Sequence, residues 1–149
     1  MGFGEAINTC VKQKYATFQG RAARSEYWWF GLFFTLAMAV TGAVGGIAIG
    51  MTRSDGSQPG AGVILAFVPL IVVTLGLIIP SLAVTIRRLH DRDMSGWWYL
   101  GIIVLGAIPV IGFVFTIGFL VLMCLKGTAG PNRFGRDPLG PLTSADVFA

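Results

Sequence analysis

The chain has 149 residues, of which 54% are hydrophobic and only 12% charged, about half the charge of a soluble domain. So few charged groups cannot cover a small soluble core, which makes lipid the expected outer solvent, and a mean hydropathy of +0.74 agrees. The net charge of +4 does not point to nucleic acid, because the basic residues flank apolar runs and form no face of their own.

The length allows one domain. Residues 1–26 read as a juxtamembrane arm. Phe3, Ile7, Cys10, Val11, Tyr15 and Phe18 recur at helical spacing, with Lys12 and Lys14 off the stripe. That pattern predicts an amphipathic helix over 3–18 lying in the membrane interface. The first long apolar run begins only after residue 26 and is expected to be an uncleaved span, not a secretory leader.

Residues 27–52 contain no charge, and at 1.5 Å per residue they reach roughly 39 Å, ample for a hydrocarbon core of about 30 Å. Tyr27, Trp28 and Trp29 open the run with aromatics suited to the headgroup boundary. Gly42, Gly46 and Gly50 repeat at four-residue intervals and are helix-packing candidates, since small residues let a second helix approach closely. A turn follows over 53–60, and a second uncharged run, 61–86, contains Pro69 and Pro80, which predict kinks.

Residues 87–96 carry the densest charge and are expected to be a basic loop. A third hydrophobic region, 97–125, is interrupted at Pro109, and the tail from 126 to 149 is rich in glycine and proline and is expected to pack loosely. Charge arbitrates how the third region runs. If it crosses once, Arg53, Lys126, Arg133 and Arg136 face the other seven cations across the bilayer. If it turns back near Pro109, only Arg53 is left on the far side. The second split obeys the positive-inside rule. Its halves measure roughly 18 Å and 24 Å, short of a crossing, which predicts a re-entrant hairpin or two short helices. One kinked helix of roughly 43 Å is the alternative.

The expected fold class is therefore an all-α integral membrane protein. It has two full transmembrane helices, a proline-broken third hydrophobic region and an N-terminal amphipathic interfacial helix. The N-terminus and the 87–96 loop belong on the cytoplasmic side.

Three charged stretches flank these spans: FQGRAARSEYWW at 18–29, RRLHDRDMSGWW at 87–98 and GTAGPNRFGRDP at 127–138. Together with the Ile-Pro-x-x-Gly of 108–112, they resemble the bacterial inner-membrane family called domain of unknown function 805. The resemblance covers 18–138, departing in a longer, glycine-rich first loop region and an extra tail. It implies a bacterial inner-membrane, multi-pass location and supplies no activity.

In the turned-back topology all three stretches lie at one membrane face. Arg21, Arg24, Glu26, Arg87, Arg88, His90, Asp91 and Asp93 would then converge with Asn132 and Arg133, as a clamp of ion pairs or as an anion or lipid site.

 The carboxylates of Glu26, Asp91 and Asp93 are the natural partners of these arginines, and Trp97 and Trp98 suit the glycerol level of a lipid.

No catalytic residue is assigned. His90 with Asp91 or Asp93 is the one acid–base pairing on offer, and sequence neighbours do not by spacing place a base and its orienting carboxylate in line. Cys10, Cys124 and His90 give no metal-ligand set, so no metal and no cofactor is expected. No ionisable residue falls inside an apolar run, so no ion path is marked. The expected role is a structural or accessory subunit of a larger membrane assembly, or a homo-oligomer. Its partners would be membrane lipids and another membrane protein or further copies, with no nucleic acid. The alternative is binding or transport of an anionic lipid or small anion at the arginine cluster.

Overall fold

Residues 1–54 and 61–140 are described by the structure, a computed structural model. Among them every regular element is helical, apart from one isolated bridge between Asn132 and Gly135. Helix α1 spans Phe3–Asn8 and continues into a π-helical turn, Thr9–Gln13; α2 spans Arg24–Ser54, α3 Ala61–Asp91, α4 Trp97–Gly106 and α5 Ile111–Cys124.

α2 and α3 have 31 residues each, or about 46 Å of helix, some 16 Å more than the hydrocarbon core requires. They pack against each other through Phe30, Leu77 and Val84, with Phe33, Phe34, Ala37, Met38 and Val73 extending the seam. The polarity of this packing is inverted relative to a soluble protein. Val40, Ile47, Leu65 and Leu75 are each more than 60% exposed, while Arg87 and Arg88 are fully buried. Both long helices meet the length and composition of membrane spans, and most of their apolar surface lies open where a soluble core helix would be covered. Lipid is the solvent that makes such a surface stable.

Gly45 is the glycine that α3 uses. A side chain there would meet the carbonyl oxygen of Ala66 at 3.0 Å, whereas Gly42, Gly46 and Gly50 face open space. Gly45→Leu therefore costs the hairpin about 1–3 kcal/mol by overpacking against backbone. Gly42→Leu and Gly46→Leu stay within about 0.5 kcal/mol. Unfolding of the three variants in mixed micelles checks this, and equal losses would contradict it.

The N-terminal segment differs from the single interfacial helix expected over 3–18. Its helical part ends at Gln13, and it is docked on the bundle by buried Ala6, Thr9 and Cys10. Tyr15, one stripe position further on, explains the docking. Pro80 has no N–H to give the carbonyl of Gly76 four residues back, and the Tyr15 hydroxyl donates to that oxygen at 2.6 Å. α3 continues through both of its prolines, Pro69 and Pro80.

The expected basic loop at 87–96 is also partly helix, since α3 runs on to Asp91. A Schellman arrangement ends it: Met94 N–H donates to the Leu89 carbonyl at 3.0 Å and Asp93 N–H to that of His90 at 3.0 Å, with Asp93 in the left-handed region at φ 57°. α4 starts just beyond. The region 97–125 forms two helices with a turn at 107–110, where Val110 has φ 68°. Gly112 closes this turn, because a Cβ there would overlap the carbonyl of Gly106. α5 brings the chain back to the end of α3, where the Met123 carbonyl accepts from Arg88. The tail through Gly140 is not loosely packed at its start, as expected from its composition. It folds over the ends of α2 and α3 through the contacts described below.

Candidate functional site

Asp91 is the centre of the charged end. One carboxylate oxygen accepts Arg21 Nε at 2.9 Å and the other accepts Arg88 Nη1. Its backbone carbonyl accepts the Thr128 N–H at 2.9 Å and hydroxyl at 3.1 Å. Gly127 is required beside it, for a Cβ at that position would run into the Asp91 carboxylate. Arg21 spends its remaining donors on the carbonyls of Thr128 and Gly130, each at 2.5 Å. In this way the first, second and third charged stretches meet in one buried network.

A second pair lies beneath it. Arg87 Nη1 donates to Glu26 Oε1 at 2.5 Å, with both side chains buried. Cys10 Sγ sits 3.7 Å from the same oxygen and 3.9 Å from Arg87 Nη2. Burial, followed by the nearby Glu26 carboxylate, pushes the Cys10 thiol from 9.0 up to about 11. A folded pKa above the unfolded one adds stability below pH 9 that is lost as pH rises toward 11. The thiol thus stays protonated and covered at neutral pH. Maleimide is expected to label exposed Cys124 rapidly in the folded protein and Cys10 only after unfolding. Equal rates would contradict the burial of Cys10.

The end of α5 is held by arginines as well. Arg88 donates to the carbonyls of Met123 and Leu125, Arg24 to that of Cys124 at 3.3 Å, and Arg92 to that of Lys126. The carbonyls of Met123 and Cys124 belong to the last turn of α5, lack intrahelical donors and form the negative end of the helix dipole, so cations stabilise them twice over.

His90 caps the network from outside. Its Nδ1 lies 3.2 Å from the carbonyl of Gly20, an oxygen that only accepts, which puts the ring proton on Nδ1. The ring stacks flat on Phe134 at 3.9 Å. Asn132 donates to the His90 carbonyl at 2.8 Å and to the Thr128 hydroxyl at 3.0 Å. Neither neighbouring carboxylate orients the imidazole: Asp91 is engaged by Arg21 and Arg88, and Asp93 pairs with Arg133 at 3.1 Å on the surface.

All ten charged or polar residues singled out from the sequence lie at this end. Arg21, Glu26, Arg87, Arg88, His90 and Asp91 are buried and Asn132 is half-buried, while Arg24, Asp93 and Arg133 are exposed. Gly42, Gly46 and Gly50 lie apart from them on the outer face of α2. Sequence reasoning missed Cys10, Gly127, Thr128 and Phe134. The last three sit inside the third charged stretch, and Cys10 lies on the apolar stripe of the N-terminal segment. Among the described residues, no three His, Cys, Asp or Glu side chains form a metal-ligating group.

A family model described as "Protein of unknown function (DUF805)" matches residues 15–136, the stretch that supplies the Asp91 network, both long helices and the α4–α5 pair. The chain belongs to the DUF805 family. α1 and the π-helical turn lie outside the matched stretch. Among its relatives in Escherichia coli K12, "Inner membrane protein YhaI" is 38% identical over 128 residues, covering 86% of this chain and 91% of that one. "Inner membrane protein YhaH" is also 38% identical, covering 86% of this chain and 92% of the relative. "Uncharacterized protein YiiR" is 28% identical over 147 residues, covering 85% and 89%. No solved structure matches the chain. This DUF805 chain is a membrane protein, helical among the described residues, with two helices long and apolar enough to cross a membrane.

Proposed function

We propose that this DUF805 protein is a structural or accessory component of a larger inner-membrane assembly, or a homo-oligomer, in which the arginine network clamps the helix ends. One observation carries the clamp reading. The buried guanidiniums of Arg21, Arg87 and Arg88 are spent on Glu26, Asp91 and backbone carbonyls of the chain itself. Guanidiniums so engaged are not free to grip an incoming anion. The outer faces of α2 and α3, with Gly42, Gly46 and Gly50 unfilled, are available to a neighbouring helix.

The charged end belongs on the cytoplasmic side by the positive-inside rule. The α4–α5 pair then enters and leaves the bilayer from that side, its helices of 10 and 14 residues reaching only about 15 Å and 21 Å deep. A reporter fused after Ala149 is expected to read cytoplasmic, and a periplasmic signal would overturn the hairpin topology.

Native mass spectrometry after mild extraction tests the assembly reading. A stoichiometric partner protein or a homo-oligomer is the expected result, and a monomer under all mild conditions would count against it. Arg88→Ala separates clamp from anion site: the clamp reading expects loss of the fold, and an intact fold that has lost an anion would favour the rival.

A further inference from the structure

A cleft of about 510 Å³ runs along α2 and α3 beside the first turn of α4, within the range of ligand pockets. Tyr27, Phe30, Gly31 and Phe34 of α2, Val84 of α3 and Tyr99 of α4 line it. Its serine and threonine hydroxyls are spent on their own helices: Thr35 donates to the Gly31 carbonyl, Ser81 to that of Ile78 and Thr85 to that of Ser81. The wall along the spans is therefore apolar in effect.

The polar groups gather at one end. Tyr27 lies in the first turn of α2 and Tyr99 in the first turn of α4, both at the charged end of the molecule. Neither phenol has a hydrogen-bond partner among the described residues. Arg24, one turn before Tyr27 and Trp28 on the same helical stripe, stands beside the cleft's lining without being part of it and reaches across to the Cys124 carbonyl at the end of α5. Unlike the buried arginines, it is exposed and has no carboxylate partner among the described residues. Arg88, Arg92 and Lys126 adjoin it around the end of α5. Among the described residues Asp91 is the one carboxylate ion-paired with any of these four cations, through Arg88, and Asp137 bears on Lys126 through its charge.

We propose that this cleft binds an anionic phospholipid, with the phosphate on Arg24, the phenols of Tyr27 and Tyr99 on phosphate or ester oxygens, and one acyl chain along Gly31, Phe34 and Val84. Charge complementarity selects this occupant. An apolar helix of another protein would leave both phenols without acceptors and give the Arg24 charge no anion, its one acceptor being the Cys124 carbonyl, and a free phosphate would leave the apolar wall against nothing. From Tyr27 to Thr35 the cleft runs along about 12 Å of helix, so it holds the upper part of a chain whose remainder continues into the bilayer. The proposal rests on the membrane embedding and not on the accessory-subunit reading, and it can fail or hold independently of that reading.

The test compares retention of phosphatidylglycerol and phosphatidylcholine by the full chain, using native mass spectrometry from mild detergent. The wild type is expected to keep phosphatidylglycerol in preference. Arg24→Gln lowers that retention about tenfold and abolishes the preference, as loss of a charge-assisted contact requires. Gly31→Leu fills the cleft, where a Cβ meets nothing within 4 Å, and lowers retention of both lipids with helicity unchanged. Lys12→Gln, exposed and outside the cleft, behaves as wild type. Retention by Arg24→Gln and Gly31→Leu equal to wild type would overturn the proposal. So would a dimer that Gly31→Leu dissolves while lipid retention stays the same, an outcome that assigns the cleft to a second copy of the chain.

Discussion

Asp91→Ala is expected to destabilise the fold by about 3–5 kcal/mol, the cost of leaving buried charge uncompensated. Two guanidiniums lose their shared carboxylate, and both Arg21 and Arg88 are buried where water cannot replace it. The loss also spreads along the chain. Arg21 holds the tail at Thr128 and Gly130, and Arg88 holds the end of α5, so both attachments loosen together. Unfolding in mixed micelles measures the stability, and limited proteolysis between α5 and Gly140 reports the tail. A loss below about 1 kcal/mol would mean that the guanidiniums reach solvent and that the clamp is not buried.

The neighbour of Asp91 sharpens this test. Gly127→Ala alone forces its new Cβ into the Asp91 carboxylate and is destabilising. With Asp91 already replaced by alanine, the clash is gone, and the second substitution is expected to cost much less. Such compensation is the signature of two residues in direct contact.

The membrane class and the shared end of the three charged stretches were legible because both depend on one-dimensional properties. The uncharged run after Glu26 and the charges that bracket it need no tertiary information. The extent of α3 was not legible. Arg87, Arg88 and Asp91 read as a solvated loop by charge density alone. They are helical because Glu26, Arg21 and the α5 carbonyls, all distant in sequence, neutralise them. Their true boundary marker is Asp93 in the left-handed region, a conformation that composition does not announce. The tail was misread for a similar reason. Glycine at 127 looked like flexibility and is instead what lets the chain lie against a buried carboxylate. The choice between Gly45 and its neighbours Gly42 and Gly46 was hidden too. Adjacent positions on a helix point about 100° apart, and only the packed partner decides which one needs to be small.

The Glu26–Arg87 pair yields the second large effect and bears on why charge is buried here at all. Glu26→Ala strands Arg87, whose Nε already lacks a partner among the described residues, and is expected to cost about 3–5 kcal/mol. Replacing both members, as Glu26→Leu with Arg87→Met, removes the stranded charge along with the pair. Such a double variant is expected to recover most of the loss, since well-packed apolar replacements of buried pairs are often neutral. Unfolding of the two single variants and the double one in micelles closes the cycle. A double variant as unstable as Glu26→Ala would mean that the pair contributes net stability. Recovery would mean that its worth lies in specification. An apolar end would slide as readily along α3 as against it, whereas Glu26 on α2 meeting Arg87 on α3 fixes how far the two helices are offset. That offset also sets Ala22 N–H against the Arg87 carbonyl at 3.0 Å and so brings Arg21 to Asp91. On this account a recovered double variant still shows the consequence of a lost register. The tail becomes more open to protease, and Cys10, whose thiol lies against both members of the pair, becomes reactive in the folded state.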